Sequence, residues 1–315
     1  MEKLTRIFDR LFPEIKIYQA ALSVRHQILC FLCLFGIFSI IGLFIPANGF
    51  IGFDWVSFFG KGNIPAFYPP WTKWVVSVLF WPTLIGLTLA SVGVASLLRS
   101  RNILSVLCVF VSLPVMWTVF LGQLDGVVLL GLLGAPWLIP LALMKPQFAF
   151  FGLMAKRSYV IGVLATFLVS FMIWGLWPLQ MFSVWSIHEE GKYVNDIAIG
   201  LVGTPLAIIL LWFSRGDMDM LMLAGSFMTP YLLPYSLIVV SPAIARLSPW
   251  KAAVACLLSW TPLSANWLGP IGWWLGWLFI AWLWLCLAFQ CYPIRNTAVG
   301  MAEHIIRKRT PTSYS

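Results

Sequence analysis

Charged side chains are scarce in this sequence. Asp, Glu, Lys and Arg make up only 10% of the 315 residues, whereas 61% of the residues are hydrophobic and the mean hydropathy is +0.91. Soluble domains carry about 25% charged residues, so this chain has too little charge to cover the surface of a soluble fold. The composition and the repeated apolar runs predict an all-α, polytopic transmembrane bundle with about eight to ten membrane segments, some of them broken or half-helices.

The sequence also lacks the short motifs of soluble-cofactor enzymes. It contains no Walker loop, no G-x-S-x-G, no H-E-x-x-H and no dinucleotide fingerprint. The C-x-x-C pair, Cys30 and Cys33, lies inside the first apolar run, which favours packing thiols over redox or metal chemistry. The net charge of +9 is spread over short stretches between apolar runs, as in cytoplasmic loops. We therefore expect no nucleic-acid partner and no soluble cofactor.

The distribution of basic residues predicts the domain organisation. Residues 1–27 alternate basic and apolar side chains at helical spacing, which is typical of a cytoplasmic amphipathic segment. Residues 28–290 are expected to form a single transmembrane domain with an outer loop at 47–72. Residues 291–315 form a basic cytoplasmic tail. The expected location is the cell membrane, with several crossings and with both termini in the cytoplasm.

Two parts of the chain do not fit simple crossings. Residues 126–157 are either one full helix to Leu143 plus a short interfacial piece, or half-helices broken at Gly134 to Pro136 and at Pro146. Lys145 is cytoplasmic in the first alternative and faces a cavity in the second. Residues 217–246 cannot form one helix, because that would place Arg246 outside. Two shorter arms that meet at "MTPYLLPY" are expected instead, with a non-helical tip that lines a cavity.

Only eleven acidic residues are present, so each can be weighed. Four lie in basic segments assigned to the cytoplasm. Asp217 and Asp219 flank Arg215 at the inner face, where we expect a solvated helix cap. The others form an outer set: Asp54, Asp125, Glu189, Glu190 and Asp196. Ionisable groups at membrane depth are costly and are functional candidates, and Asp54 and Asp125 fit that description best.

Each candidate has a simpler structural interpretation. Asp54 is either a cap of a helix that begins at Trp55 or a carboxylate at the mouth of an outward-facing cavity, acting as a general base or in a cation site. Gln123 and Asp125 of "GQLDG" either satisfy a helix break or belong to a site. The tyrosines of "TPYLLPY" are expected in any kinked segment. His188 beside two glutamates indicates a solvated loop more than a metal site.

Several stretches, taken together and in this order, resemble one enzyme family. They are "GFDWVSFF", "FYPPW", "SLPVMWTVFLGQLDGVVLLGLL", "KPQ" and "TPYLLPYS". The set is similar to the GT-C-type membrane glycosyltransferases that use polyprenyl-phosphate sugars, and among them most similar to glycosyltransferase family 87. The likeness covers residues 28–290 and implies a shortened relative with a GT-C-like helical bundle.

The resemblance implies a role for individual residues. Asp54 corresponds to the first-loop acid that deprotonates or contacts the acceptor, often near a divalent cation. Gln123 corresponds to the glutamine of the "GQ" motif and Lys145 to the lysine of the "KP" motif. The expected partners are a polyprenyl-phosphate sugar and membrane lipids. The residues expected to bind substrate are Trp55, Tyr68, Trp71, Gln123, Asp125, Lys145, Gln147, Tyr231 and Tyr235.

The leading hypothesis is thus a membrane glycosyltransferase that moves a sugar from a polyprenyl phosphate to an outer-face lipid or glycan acceptor. A transporter is the first alternative, because broken helices commonly form substrate sites in carriers. A non-catalytic subunit of a membrane assembly is the second, because membrane-embedded acids are few. The enzyme hypothesis predicts that Asp54, Gln123 and Tyr231 or Tyr235 face one outward pocket that opens laterally to lipid.

Overall fold

The computed structural model describes residues 23–65, 68–100, 102–179, 197–214, 216–229 and 231–291. Within these ranges every regular element is a helix, and none is a strand. The predicted all-α class is therefore confirmed. Most of the amphipathic segment at 1–27, nearly all of the tail at 291–315 and the loop that contains His188 lie outside the described residues, so the expectations about them stay predictions.

The helices of the described residues are mostly short. The α-helices, in chain order, are α1 Val24–Leu43, α2 Phe53–Ser57, α3 Thr72–Ser77, α4 Trp81–Arg99, α5 Ile103–Phe110, α6 Leu113–Leu121, α7 Asp125–Leu133, α8 Ile139–Ala142, α9 Pro146–Leu153, α10 Arg157–Trp174, α11 Thr204–Phe213, α12 Met218–Gly225, α13 Pro249–Ser259, α14 Ala265–Leu268, α15 Pro270–Trp274 and α16 Gly276–Cys291. The 3₁₀ turns are Phe59–Lys61, Gly200–Gly203, Ser226–Met228, Pro234–Val239, Ser241–Arg246 and Thr261–Ser264.

Fewer helices are long enough to cross a membrane than the eight to ten expected. Four stretches among the described residues are long and apolar enough to cross a membrane: Val24–Leu43, Trp81–Arg99, Arg157–Trp174 and Pro270–Gln290. A fifth meets the same criterion if α5 and α6, which meet at a bend of 42°, count as one span. These helices are compatible with a membrane protein. The expected number was wrong because proline and glycine divide several apolar runs into pieces that are too short to span alone.

Two of the apolar runs show this shortening. The run at 197–213 contains a 3₁₀ turn and then α11, which has ten residues. The run at 250–265 contains the eleven-residue α13 and then a 3₁₀ turn that begins beside Pro262. Helices of that length rise only about 15 Å, roughly half the thickness of the hydrocarbon core.

Helix α4 is the centre of the bundle. About two thirds of it is buried, whereas α1 and α10 are largely exposed at their surfaces. Helix α7 crosses α4 where Gly126 lies against Thr88: a Cβ at Gly126 would come within 2.2 Å of the Thr88 hydroxyl and 2.6 Å of its Cα. Glycine is therefore required at this crossing, which fixes the start of α7 against the middle of α4.

The structure distinguishes between the two alternatives for residues 126–157. Helix α7 ends at Leu133, α8 covers only Ile139–Ala142, and α9 begins at Pro146. The chain therefore has half-helices with breaks near Gly134 to Pro136 and before Pro146. Lys145 lies at the second break, and it is buried.

Residues 217–246 turn back on themselves, as expected. Helix α12 and a 3₁₀ turn lead to a non-helical tip after Met228, and 3₁₀ turns return the chain to Arg246. Arg246 donates to Asp217 at 2.9 Å, so the two ends of the segment lie side by side. Asp217 caps α12, but the solvated cap expected at the inner face was wrong: Asp217 and Asp219 are both buried and both paired with arginine.

Candidate functional site

Four polar side chains form a continuous hydrogen-bonded row. Gln123 Nε2 donates to Asp54 Oδ2 at 2.5 Å. Lys145 Nζ donates to Gln123 Oε1 at 2.9 Å and to Asp125 Oδ2 at 2.6 Å. The amide of Gln123 therefore links a carboxylate on one side to an ammonium group on the other. We call these four residues the polar cluster.

Glycines bring the first two members of the polar cluster together. Gly52, with φ +73°, precedes α2, and its N–H donates to the Phe120 carbonyl at 2.7 Å. That bond attaches the Asp54 turn to the end of α6. Gly122, with φ +76°, ends α6, and a Cβ there would lie 2.8 Å from Trp55 Cβ. The left-handed backbone favours glycine at both positions, and the close contact at Gly122 sets Gln123 directly beside Asp54.

The other two members come from the breaks between half-helices. Asp125 is the first residue of α7, and Lys145 immediately precedes α9. A continuous helix to Leu143 would have carried Lys145 to the far end of α7. Because the chain turns back through α8, the lysine returns to the level at which α7 begins.

Tyrosines surround the ammonium group of Lys145. Its Nζ lies 4.9 Å from the ring centroid of Tyr235 and 5.7 Å from that of Tyr68, distances at which cation–π attraction operates. The hydroxyls of Tyr231 and Tyr235 are 3.5 Å apart. Three residues predicted from "FYPPW" and "TPYLLPY" therefore lie at or beside the polar cluster.

The polar cluster is almost enclosed. Asp125 is 1% exposed, Gln123 6% and Lys145 9%, whereas Asp54 is partly exposed. Burial raises the pKa of the Asp54 carboxyl above its ordinary value, and the hydrogen bond from Gln123 and the charge of Lys145 oppose this rise. Asp54 is thus the member of the cluster that a molecule from outside reaches first, and its raised pKa makes its carboxylate a better proton acceptor than that of an ordinary aspartate.

Three of the predicted residues are not members of the polar cluster. Trp55, the residue after Asp54, is buried. Trp71 is not among the contacts of the cluster: its indole N–H donates to the Pro140 carbonyl at 2.8 Å, and its ring packs on Trp174. Gln147 belongs to α9, and its side chain lies outside the described part of the structure.

An apolar groove of about 380 Å³ borders Trp71. The groove lies between α3, α8 and α10. Its lining residues are Trp71, Trp74, Pro140, Ala165, Thr166, Val169, Ser170, Ile173 and Trp174. None of Asp54, Gln123, Tyr231 and Tyr235 lines this groove, so the outward pocket with a lateral opening to lipid stays a prediction.

The family resemblance implies a divalent cation near Asp54, but the side chains of the polar cluster do not fit one. Mg²⁺ and Ca²⁺ bind several oxygen ligands. Here the ammonium group of Lys145 already lies against Asp125 and would repel a cation, and the amide nitrogen of Gln123 faces Asp54. Across the described ranges, no three His, Cys, Asp or Glu side chains are placed to share a metal ion.

The sequence did not indicate Thr118 as part of this region. Its hydroxyl donates to the Pro114 carbonyl at 2.7 Å and to the Tyr235 carbonyl at 3.1 Å. It therefore joins α6, which leads to Gln123, to the 3₁₀ turn that presents Tyr235. A buried threonine in an apolar helix is too common a signal to identify from sequence.

The comparisons with known proteins add no assignment. When the chain is compared with protein-family models, with curated proteins and with solved structures, nothing matches it.

Proposed function

We propose that this chain is an integral-membrane glycosyltransferase that moves a sugar from a polyprenyl-phosphate donor to a lipid or glycan acceptor at the outer face. The observation that carries the proposal is the row from Asp54 through Gln123 to Lys145. Asp54 and Lys145 are 91 positions apart in sequence, yet only the side-chain amide of Gln123 lies between their charged groups. Loop 47–72 would lie outside and both termini would lie in the cytoplasm, as the basic residues indicate.

The chemistry of sugar transfer needs a base and a positive charge at separate points. Asp54 takes the proton from the acceptor hydroxyl, whose oxygen attacks the anomeric carbon of the sugar. The bond from that carbon to the phosphate oxygen breaks on the opposite face, so the configuration inverts. Lys145 stabilises the negative charge that develops on the departing lipid phosphate. Gln123 contacts both groups and holds them at a fixed separation.

The apolar groove beside Trp71 supports the use of a lipid-linked substrate. A polyprenyl chain is insoluble in water and must stay in contact with lipid while its phosphate reaches a polar site. The groove is lined almost entirely by apolar side chains, including Trp74 and Trp174, and lies next to the loop that carries Tyr68. For the phosphate to reach Lys145, the rings of Tyr68 or Tyr235 must move aside.

The proposal is tested by sugar transfer in vesicles. Radiolabelled polyprenyl-phosphate sugars are supplied to the wild-type protein and to the Asp54→Asn variant, which keeps the shape of the side chain but removes the base. The expected result is a rate lower by about 10²-fold to 10⁴-fold. Lys145→Met is expected to reduce transfer as well, whereas Lys73→Met, at an exposed position on α3, serves as the matched control and keeps the wild-type rate.

Two results would contradict this assignment. Equal transfer by the wild type and by Asp54→Asn would exclude Asp54 as the base. Failure of the wild type to transfer from any polyprenyl-phosphate sugar would remove the enzymatic proposal itself and favour a non-catalytic subunit.

Transport is the second candidate, and one observation favours it. The buried Lys145 to Asp125 ion pair lies where two half-helices begin, an arrangement that carriers use for substrate and ion sites. A carrier would accumulate a solute in proteoliposomes under an imposed ion gradient, and loss of that uptake in Asp125→Asn would identify the pair as its site. Sugar transfer without uptake would exclude this candidate.

A further inference from the structure

A second group of buried charges lies far from the polar cluster. Arg246 donates to both oxygens of Asp217, at 2.9 and 2.7 Å, and to Asp219 at 3.0 Å. Arg99 donates to Asp219 through Nε and Nη2, with a shortest distance of 2.7 Å. The side chains of all four residues are no more than 15% exposed. We call this group the base clamp, because it joins the two ends of the segment 217–246 at the base of that segment.

The base clamp is too far from the polar cluster to contact a molecule bound there. Both groups lie along α4. Gly126, the neighbour of Asp125, lies against Thr88 in the middle of this helix, and Arg99 is its last residue. Eleven residues of helical rise separate these two levels by about 16 Å. Any effect of the base clamp on the polar cluster must therefore be carried by the residues between them.

The backbone that joins the two groups is the segment from Asp217 to Arg246. Its two ends meet in the base clamp, and its tip presents Tyr231 and Tyr235 beside Lys145. The returning arm consists of two successive 3₁₀ turns, Pro234–Val239 and Ser241–Arg246. Runs of 3₁₀ helix are weakly bonded and are seldom this long, so this arm has little intrinsic rigidity.

The charges of the base clamp compensate for that weakness. The outgoing arm consists of α12 and the 3₁₀ turn Ser226–Met228. Arg246, at the end of the returning arm, donates two parallel hydrogen bonds to Asp217, at the start of the outgoing arm. This geometry fixes the orientation of the two side chains as well as their distance. Arg99 holds the same group to α4 through Asp219, two residues into the outgoing arm. The two arms cannot slide against each other while the pair between Arg246 and Asp217 is intact.

We propose that Arg246 and Asp217 are positioning residues for the site, because they lock the register of the returning arm and thereby hold Tyr235 over Lys145. The inference depends on the proposed function only in calling the polar cluster a catalytic site. The contact between the two arms and the placement of the tyrosines are independent of it. Arg99 anchors the group to α4 and does not set the register.

Hydrogen exchange measured by mass spectrometry on the full chain in nanodiscs tests this inference. Arg246→Gln is compared with Arg99→Gln, since each leaves a buried aspartate short of a partner and is expected to lower thermal stability to a similar extent. Arg246→Gln should speed exchange in the tip peptide that contains Tyr231 and Tyr235 by about tenfold or more. Arg99→Gln should leave the tip peptide at the wild-type rate, and Arg246→Lys should restore part of the protection.

The outcomes separate this inference from the proposed function. Equal acceleration of the tip peptide by Arg246→Gln and Arg99→Gln would reduce the base clamp to a general stabilising contact, and no acceleration in Arg246→Gln would overturn the inference as well. A selective effect in a protein that shows no sugar transfer would uphold the base clamp and reject the enzyme. If the glutamine variants do not fold, Arg246→Lys and Arg99→Lys give a comparison in which the expected acceleration is smaller but again confined to the Arg246 variant, because lysine keeps the charge and loses the two parallel bonds.

Discussion

Replacing Lys145 with methionine is the most direct test of the polar cluster. Methionine keeps the length of the side chain and removes the charge, so Asp125 would remain buried and unpaired at 1% exposure. Breaking a buried ion pair by removing one partner costs about 3–5 kcal/mol. The change also removes a donor from Gln123 and the cation from the faces of Tyr68 and Tyr235.

The size of the effect can be isolated with two further variants. Lys73→Met makes the same chemical change at an exposed position of α3 and should alter the free energy of unfolding by less than about 0.5 kcal/mol. In the Lys145→Met background, Asp125→Asn removes the stranded charge while keeping the shape of the side chain. The double variant should therefore recover about 1–3 kcal/mol of the loss.

Thermal unfolding of the four proteins in one detergent, followed by circular dichroism, measures these differences. We expect the order of stability to be wild type, then the Lys73 variant close to it, then the double variant and finally Lys145→Met. If Lys145→Met were as stable as Lys73→Met, Lys145 would not be a buried partner of Asp125. If the double variant were less stable than Lys145→Met, the loss would come from packing and not from charge.

Three further predictions concern pH, metal and packing. Because the pKa of Asp54 is raised, its carboxylate takes up a proton at a pH above the ordinary aspartate value of about 4, and the rate of sugar transfer should fall as the pH drops through that higher value. A transfer rate that falls only at or below about pH 4 would refute the role of burial. EDTA should leave the transfer rate unchanged because Lys145 supplies the positive charge, whereas loss of activity that Mg²⁺ restores would show that a cation is required. Gly126→Val should lower the melting temperature strongly because a side chain there meets the backbone of Thr88, and Gly36→Ala, where nothing lies within 4 Å, should not; equal melting temperatures would refute the tight crossing of α4 and α7.

The sequence predicted the breaks in the helices well but the number of crossings poorly. Proline cannot continue a helix and glycine weakens one, so Gly134 to Pro136, Pro146 and "TPYLLPY" could be identified as breaks from local chemistry alone. The expected number counted apolar runs, whereas the helices that form within several of these runs are shorter than the membrane is thick. The expected number therefore exceeded the four or five spans of the described residues.

The members of the polar cluster were named from sequence, but their contacts could not be. Asp54 and Gln123 are 69 positions apart, and Gln123 and Lys145 are 22 apart. Their proximity depends on the docking of the Gly52 turn on α6 and on the turn of the chain through α8. The base clamp was missed for the same reason, because Asp217 and Asp219 look solvated until Arg99 and Arg246 are brought to them from distant parts of the chain.

The sequence by itself determined that this chain is helical and apolar, because composition and local breakers act over a few residues and need no knowledge of neighbours. It also supplied the residue types for acid–base and phosphate chemistry. Only the tertiary structure decided which carboxylate is paired with lysine, which is paired with arginine and which stays partly exposed. Burial and charge pairing depend on the surroundings of a side chain in three dimensions, and those surroundings separate Asp54 from the other described acids.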